Sequence, residues 1–227
     1  MIRVLIADDQ PLIRAGIRGV LDLEDDLVVV GEVADGQAAV RQAYRERADI
    51  VLMDIRMPVL DGIEATRRIR ADEHLAGVRI IILTTFETDD NVVEALYAGA
   101  SGFLGKGASP DEIVDAIRIV ANGEALLSAR ATRSLIEQFV ALPQRDVEDA
   151  QQMSRWASMI ADLTEREREV LVMVARGLSN EQIGQALSIS SFTVKTHVNR
   201  AMVKLDAHDR AQLVIFAYQA RLVQPDE

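Results

Sequence analysis

Along the first 125 residues the apolar positions alternate between two periods. The segments IRVLIA (2–7), LVVVGEV (27–33), DIVLM (49–53), RIIILT (79–84) and SGFLG (101–105) are short, apolar and mostly β-branched. That is the length and composition of strands buried on both faces. Between them, residues 11–23, 36–47, 63–71, 89–100 and 109–123 carry apolar residues at helical spacing. Ser109 before Pro110 and two acids marks a helix start, and Gly123 a helix stop. Five strand–helix units in a row predict an α/β fold, a doubly wound five-stranded parallel sheet with helices on both faces. Such sheets place their ligands at the carboxyl ends of the strands.

The pattern changes after residue 125. ATRSLIEQFVAL is helical in propensity, Pro143 interrupts it, and QRDVEDAQQ is polar and acidic. Residues 126–162 therefore read as a helical linker. From 163 the pattern is all-helical. Thr164–Glu167 and Ser179–Gln182 both have capping-box spacing, Gly177 ends the first helix, and Ser190 can cap the third. A fourth helix starts near Asp209. Two short helices, a tight turn and a third helix with basic residues predict an all-α, four-helix domain of helix-turn-helix type over 163–227.

Composition narrows the function classes. The 227 residues are 49 % hydrophobic and 27 % charged, and no Cys is present, which excludes disulfides, thiolate metal sites and cysteine catalysis. No apolar run approaches the roughly 20 residues of a membrane span. Acidic residues arrive by position 8, leaving no room for a signal peptide. These features predict a cytoplasmic protein with no membrane partner. The net charge of -11 is unevenly spread. Residues 1–128 hold 13 Lys/Arg against 23 Asp/Glu, whereas residues 163–227 hold 8 of each. Within the neutral last third, SSFTVKTHVNRAMVKL (190–205) has no acid and carries Lys195, Arg200 and Lys204.

Polar side chains stand at four strand ends. Asp8 and Asp9 follow the first strand, Asp54 the third, Thr84 ends the fourth, and Lys106 follows the fifth. The first, third and fourth strands of a doubly wound sheet can be neighbours, so these groups can converge on one edge. Clustered carboxylates with no His or Cys suit Mg²⁺. Asp9, Asp54 and the backbone carbonyl of Arg56 are the expected direct ligands, with Asp8 acting through water. Asp54, central and single, is the expected phosphoacceptor, with Lys106 neutralising the transferring oxygens and Thr84 donating to a phosphate oxygen. The plainer alternative is that Asp8 and Asp9 cap the first helix and Asp54 merely ends a strand. A Mg²⁺-dependent phosphohydrolase of the haloacid dehalogenase type is a rival. It needs an acid two residues after its nucleophile, and that position is Arg56.

ADDQPLIRAGI, VLMDIRMPVLDGIEATRRIR, IIILTTFE and ALYAGASGFLGKG together resemble the receiver domain of bacterial two-component response regulators. The resemblance implies that a sensor histidine kinase phosphorylates Asp54, that Thr84 is the switch hydroxyl, that Lys106 bonds the phosphate and that Phe103 is the switch aromatic. It implies a phosphoacceptor with no separate substrate turnover. Gly107 departs from the proline that many receivers carry after the lysine.

In the basic helix the spacing predicts that Phe192, Val194, Val198, Met202 and Leu205 pack inward. Lys195, Thr196 and Asn199 then face base edges. Ser191, Thr193, His197, Arg200 and Lys204 are placed to meet phosphates, as is Asn180 on the preceding helix. A solvated amphipathic helix is the plainer alternative. Residues 163–217 resemble the LuxR-type helix-turn-helix module, with Gln182 in place of the usual Glu. A receiver followed by this module is the layout of the NarL/FixJ subfamily. It implies a transcription factor that binds double-stranded DNA with paired half-sites, forms a homodimer on activation, and uses the fourth helix in dimerisation. A receiver controlled by a partner or ligand without phosphorylation is the alternative. His74, His208, Trp156 and the Met residues read as surface, cap or packing residues.

Overall fold

The computed structural model describes residues 1–84, 94–123, 156 and 158–223. The chain divides into two compact units, Met1–Ser128 and Ala129–Glu227. The first contains β1 (Ile2–Ala7), α1 (Pro11–Leu21), β2 (Leu27–Val33), α2 (Gly36–Arg45), β3 (Ile50–Asp54) and α3 (Gly62–Ala71). A short 3-10 turn (Glu73–Leu75), β4 (Arg79–Thr84), β5 (Gly102–Gly105) and α4 (Pro110–Ala121) follow. Residues 94–97 are also helical. The start of the helix expected over 89–100 lies outside the described residues.

All five strands are parallel, in the order β2-β1-β3-β4-β5. The β-branched runs are buried on both sides, as a sheet sandwiched between helices requires. Val4, Ile6, Leu52, Ile81 and Leu83 pack with Ile17 and Leu21 of α1 and Val114, Ile117 and Val120 of α4. The alternate residues Leu5, Val51, Met53, Ile80 and Ile82 are equally buried, and α2 lies against β1 and β3 on that side. The register sets Ala7 beside Met53, Asp54 beside Leu83 and Thr84 beside Gly105. Three strands therefore stop at one level, and the residues that follow Ala7 and Gly105 emerge beside Asp54.

Helix starts follow the local chemistry. Asp35, Asp61 and Ser109 each accept a backbone N–H of the first turn, and Ser109 with Glu112 forms a reciprocal capping box. Gly62 has a further task. A Cβ there would stand 2.0 Å from the Asp54 carbonyl oxygen, so only glycine lets α3 start so close to the end of β3.

The second unit has α5 (Glu165–Ala175), α6 (Asn180–Leu187), α7 (Ser191–Lys204) and α8 (Arg210–Gln219). Capping boxes start α5 at Thr164 and α6 at Ser179, where Gln182 supplies the return bond to the Ser179 N–H at 2.7 Å. Ser190 and Asp209 cap α7 and α8. The turn between α6 and α7 is tight: Ser188 is left-handed at φ 54, and a Cβ on Gly184 would meet the Ile189 carbonyl at 2.7 Å. Val170, Leu171, Val174, Ile183, Val194, Val198, Ala201, Leu205 and Leu213 are buried in this unit. The linker helices and the Pro143 break expected within 126–162 fall mostly on residues outside those described. Trp156 is helical and half-buried.

Gly62→Ala is expected to destabilise the first unit by about 1–3 kcal/mol or more, the range for forcing an atom into a packed site. Gly77→Ala, where a Cβ meets nothing within 4 Å, is expected to stay within about 0.5 kcal/mol of the parent. Urea unfolding followed by circular dichroism compares them, and equal stability of the two variants contradicts the packing argument.

Candidate functional site

At the carboxyl edge of the first unit, the loop after β1 carries Asp8 and Asp9. Asp8 and Asp54 are buried and Asp9 is exposed. One carboxylate oxygen from each of the three lies within 4.8 Å of the others. Lys106, directly after β5, sends its ammonium between two of them. Its Nζ is 2.6 Å from Asp8 Oδ2 and donates to Asp54 Oδ2 at 2.8 Å. The Lys106 side chain is itself only 5 % exposed, so this is a buried charge cluster.

The backbone holds these groups in place. Asp8 Oδ1 accepts the Gln10 N–H at 2.8 Å, the Asp8 carbonyl accepts from Arg14 Nη1, and Lys106 N–H donates to the Thr84 carbonyl. Asp8 and Asp9 do not cap α1, whose N-cap is Gln10 with no side-chain cap; the Asp8 bond is to the N–H of Gln10 itself. The other Asp8 oxygen faces Lys106. Arg56 is exposed, and its backbone N–H bonds to the Asp54 carboxylate. Thr84 ends β4, buried, and Phe103 on β5 is buried as well.

The electrostatics are unbalanced. Burial pushes the Asp54 carboxyl above the ordinary carboxylate range; the Lys106 ammonium opposes this and the Asp8 charge adds to it. Burial also works against the Lys106 charge, but the two carboxylates outweigh it and hold Lys106 above its usual value. The two directions agree physically. Three carboxylates against one ammonium leave the site short of positive charge. A hard cation with oxygen preference fits that donor set.

In the second unit α7 presents two faces. Val194, Val198, Ala201 and Leu205 form the buried one. Met202 is half-buried. Phe192 departs from the expected pattern: it is 79 % exposed. Its position in the first turn, beside the exposed Ser191, sets it beyond the end of the inward stripe. Asn199 and Arg200 are exposed, and Lys195, Thr193, Thr196 and His197 half-exposed. Lys195 and Arg200 make no hydrogen bond or ion pair among the described residues. Of the expected phosphate contacts, Lys204 and Asn180 are engaged within the unit, and His197 turns one ring nitrogen inward. Lys204 turns inward, donating to the Asp162 carbonyl at 2.9 Å and pairing with the buried Glu167 at 2.7 Å. Its reach is absorbed by a carboxylate that cannot be buried alone. His197 Nδ1 is buried without a partner. Asn180 Oδ1 accepts from Arg210 Nη1 at 2.9 Å. The pairing of Lys204 with Glu167 was missed in the sequence, although Glu167 also closes the Thr164 capping box and stands on the apolar side of α5.

Residues 4–118 match the response regulator receiver domain, and residues 161–217 match the bacterial regulatory proteins of the luxR family. The chain is a NarL/LuxR-family two-component response regulator. It is 42 % identical over 224 residues to the transcriptional regulatory protein YxjL of Bacillus subtilis (strain 168), covering 98 % of each chain. It is 38 % identical over 223 residues to the response regulator VraR of Staphylococcus aureus, covering 98 % of this chain and 99 % of that one. Among solved structures, it matches the response regulator ChrA of a heme-sensing two-component system at 34 % identity and a TM-score of 0.51, over 98 % of both chains. Such a regulator implies a kinase and DNA as partners. Among the described residues no helix is long and apolar enough to cross a membrane.

The Glu167–Lys204 pair has a pH signature. Burial pushes Glu167 up, but the Lys204 ammonium and the Thr164 bonds outweigh it, so the carboxyl sits below its usual range. A depressed carboxyl adds stability that is present above the unfolded value of about 4.3 and lost as pH falls through the folded one. Lys204→Met is expected to destabilise the second unit by about 1–3 kcal/mol at pH 7, and the gap should shrink below about pH 4. Urea titrations at pH 7 and pH 3.5 check this, and a gap that stays constant with pH excludes the pair as its source.

Proposed function

We propose that this regulator is a cytoplasmic transcription factor. A sensor histidine kinase phosphorylates Asp54 in a Mg²⁺-dependent reaction, and that event controls DNA binding. The observation that carries the reading is the buried contact of Lys106 with Asp54 and Asp8, beside the accessible Asp9. Asp9, Asp54 and the Arg56 carbonyl would hold the Mg²⁺ directly and Asp8 through water, and the ion would supply positive charge to the transferring phosphoryl oxygens. The Asp54 oxygen forms the new bond to phosphorus as the phosphorus–nitrogen bond to the donor histidine breaks, and the imidazole keeps the electron pair. Lys106 passes its hydrogen bond from the carboxylate to a phosphoryl oxygen. Thr84 then donates its hydroxyl to another, and Phe103 follows in the space it vacates. No substrate is turned over. At Arg56 a hydrolase of the rival type would need a carboxylic acid, and a guanidinium supplies neither acid nor base at neutral pH.

On DNA, Lys195, Thr196 and Asn199 face base edges, while Ser191, Thr193 and Arg200 meet phosphates. Asn180 and His197 have only their remaining donors for this, namely the Asn180 amide and His197 Nε2. A homodimer formed or stabilised on activation, with α8 contributing, sets two copies of α7 on paired half-sites.

Incubated with a small phosphodonor and Mg²⁺, the full chain is expected to gain one stable phosphoryl group by intact mass. Asp54→Asn should gain none, and a chelator should abolish labelling of the parent. Rapid donor turnover without stable label supports the hydrolase reading instead. DNA binding that is indifferent to the label supports control by a partner or ligand. Loss of Lys195 or Asn199 is expected to cost about 1–3 kcal/mol of discrimination between bases, while Arg200→Ala should weaken binding to all sequences. Equal effects of the three on specific and random duplexes, measured by fluorescence anisotropy at fixed salt, would undo the assignment of faces.

A further inference from the structure

The outward side of α7 is not wholly polar. Phe192 is 79 % exposed in the first turn of the helix. Lys195 and Thr196 lie one turn further along the same stripe, and Asn199 one turn beyond them. Thr196 carries a hydroxyl that would normally seek an outside partner, yet its Oγ1 donates back to the Phe192 carbonyl at 3.1 Å. What Thr196 leaves for an outside partner is its methyl group and an oxygen that can only accept. The Phe192 ring and the Thr196 methyl therefore lie one turn apart on one stripe, at i and i+4. Val203 is also exposed, at 83 %, but it lies three turns from Phe192 and takes no part.

The surroundings indicate the occupant. Residues 190–205 contain no acid, and Lys195 and Arg200 make no ion pair among the described residues. This is a surface complementary to polyphosphate, not to a neutral or basic protein face. In the major groove each base pair shows a pattern of donors and acceptors, and only thymine adds an apolar group, its 5-methyl. The N-terminal turns of a recognition helix are the ones that reach base edges, and Phe192 stands there.

We propose that Phe192, with the Thr196 methyl one turn along, reads the 5-methyl group of a thymine in each half-site, next to the bases met by Lys195 and Asn199. The proposal rests on the reading that α7 enters the major groove. It adds a specificity residue that the polar pattern of the helix does not reveal. Phe192 offers no hydrogen bond, so its selectivity comes from burying a methyl group against a ring. One buried methyl corresponds to about fourfold in affinity.

The test uses the full-length chain and a duplex selected by it from a randomised pool. Each thymine of the half-site is then replaced in turn by deoxyuridine, which removes the methyl group and leaves every donor and acceptor. At one thymine per half-site the parent is expected to bind the deoxyuridine duplex about fourfold more weakly per half-site. Phe192→Ala should bind the thymine and deoxyuridine duplexes equally, Phe192→Leu should keep part of the preference, and Thr196→Ser should reduce it. Arg200→Ala should weaken both duplexes and leave their ratio intact. If no thymine shows the effect, or if Phe192→Ala keeps the full ratio, the proposal is overturned while DNA binding stands. A chain that binds no duplex at all overturns the DNA reading itself. Self-association lost in Phe192→Ala with an unchanged thymine ratio gives the residue to a second copy of the chain and also overturns the proposal.

Discussion

A single ammonium, that of Lys106, lies buried between two carboxylates that would otherwise repel one another at the end of a parallel sheet. Removing such charges from water costs several kcal/mol per ion unless their partners are close and well oriented. The contacts at 2.6 and 2.8 Å meet that condition only because three strands stop at one level. The order β1-β3-β4-β5 is what aligns them. A slip of one residue in β3 would turn Asp54 to the opposite face. Gly62 ties the position down from the other side, because α3 begins against the Asp54 carbonyl itself. The buried β-branched runs, the strand order and the glycine thus serve one constraint.

The second unit meets the same problem in a smaller core. Helices of 8 to 14 residues are too short to be stable alone, so their ends and their packing must supply the difference. Four side-chain caps do part of this. Glu167 does more: it closes a cap, is buried, and takes the Lys204 ammonium across to the last turn of α7. Lys204 is therefore withdrawn from the charged surface that its position in the sequence suggests. Lys195 and Arg200, the cations of α7 without a partner among the described residues, are the ones nearer the middle of the helix.

Much of the architecture was legible in the sequence because two periods separate cleanly. Alternation between short β-branched runs and helical segments located all five strands to within a residue or so. The capping pairs Ser109–Glu112, Thr164–Glu167 and Ser179–Gln182 located helix starts through local chemistry alone. The convergence of Asp8, Asp9, Asp54 and Lys106 could be anticipated because strand ends are fixed by topology. Phe192 and Lys204 could not be placed in this way. A helical wheel assigns Phe192 inward by its hydrophobicity, yet residues in a first turn sit at the margin of the packed face. It assigns Lys204 outward by its charge, yet a buried carboxylate 37 positions earlier in the chain draws it in. Both are tertiary facts that override a local pattern.

The charge balance also limits how a receiver of this composition can switch. The site holds three carboxylates against one ammonium, and burial raises the Asp54 carboxyl. On the proposed reading, phosphorylation replaces one carboxylate with a group of about two negative charges and three acceptor oxygens. Lys106 cannot satisfy all of them while it also serves Asp8. The neutral hydroxyl of Thr84, at the end of the neighbouring strand, is the remaining side-chain donor of the set, and drawing it toward the phosphoryl group leaves a gap where it stood. In a core packed to crystal-like density such a gap must be filled, and buried Phe103 on the adjoining strand is the large side chain placed to do so. On that reading the imbalance of charge at the buried cluster also selects Thr84 and Phe103 as the side chains that move when Asp54 is modified.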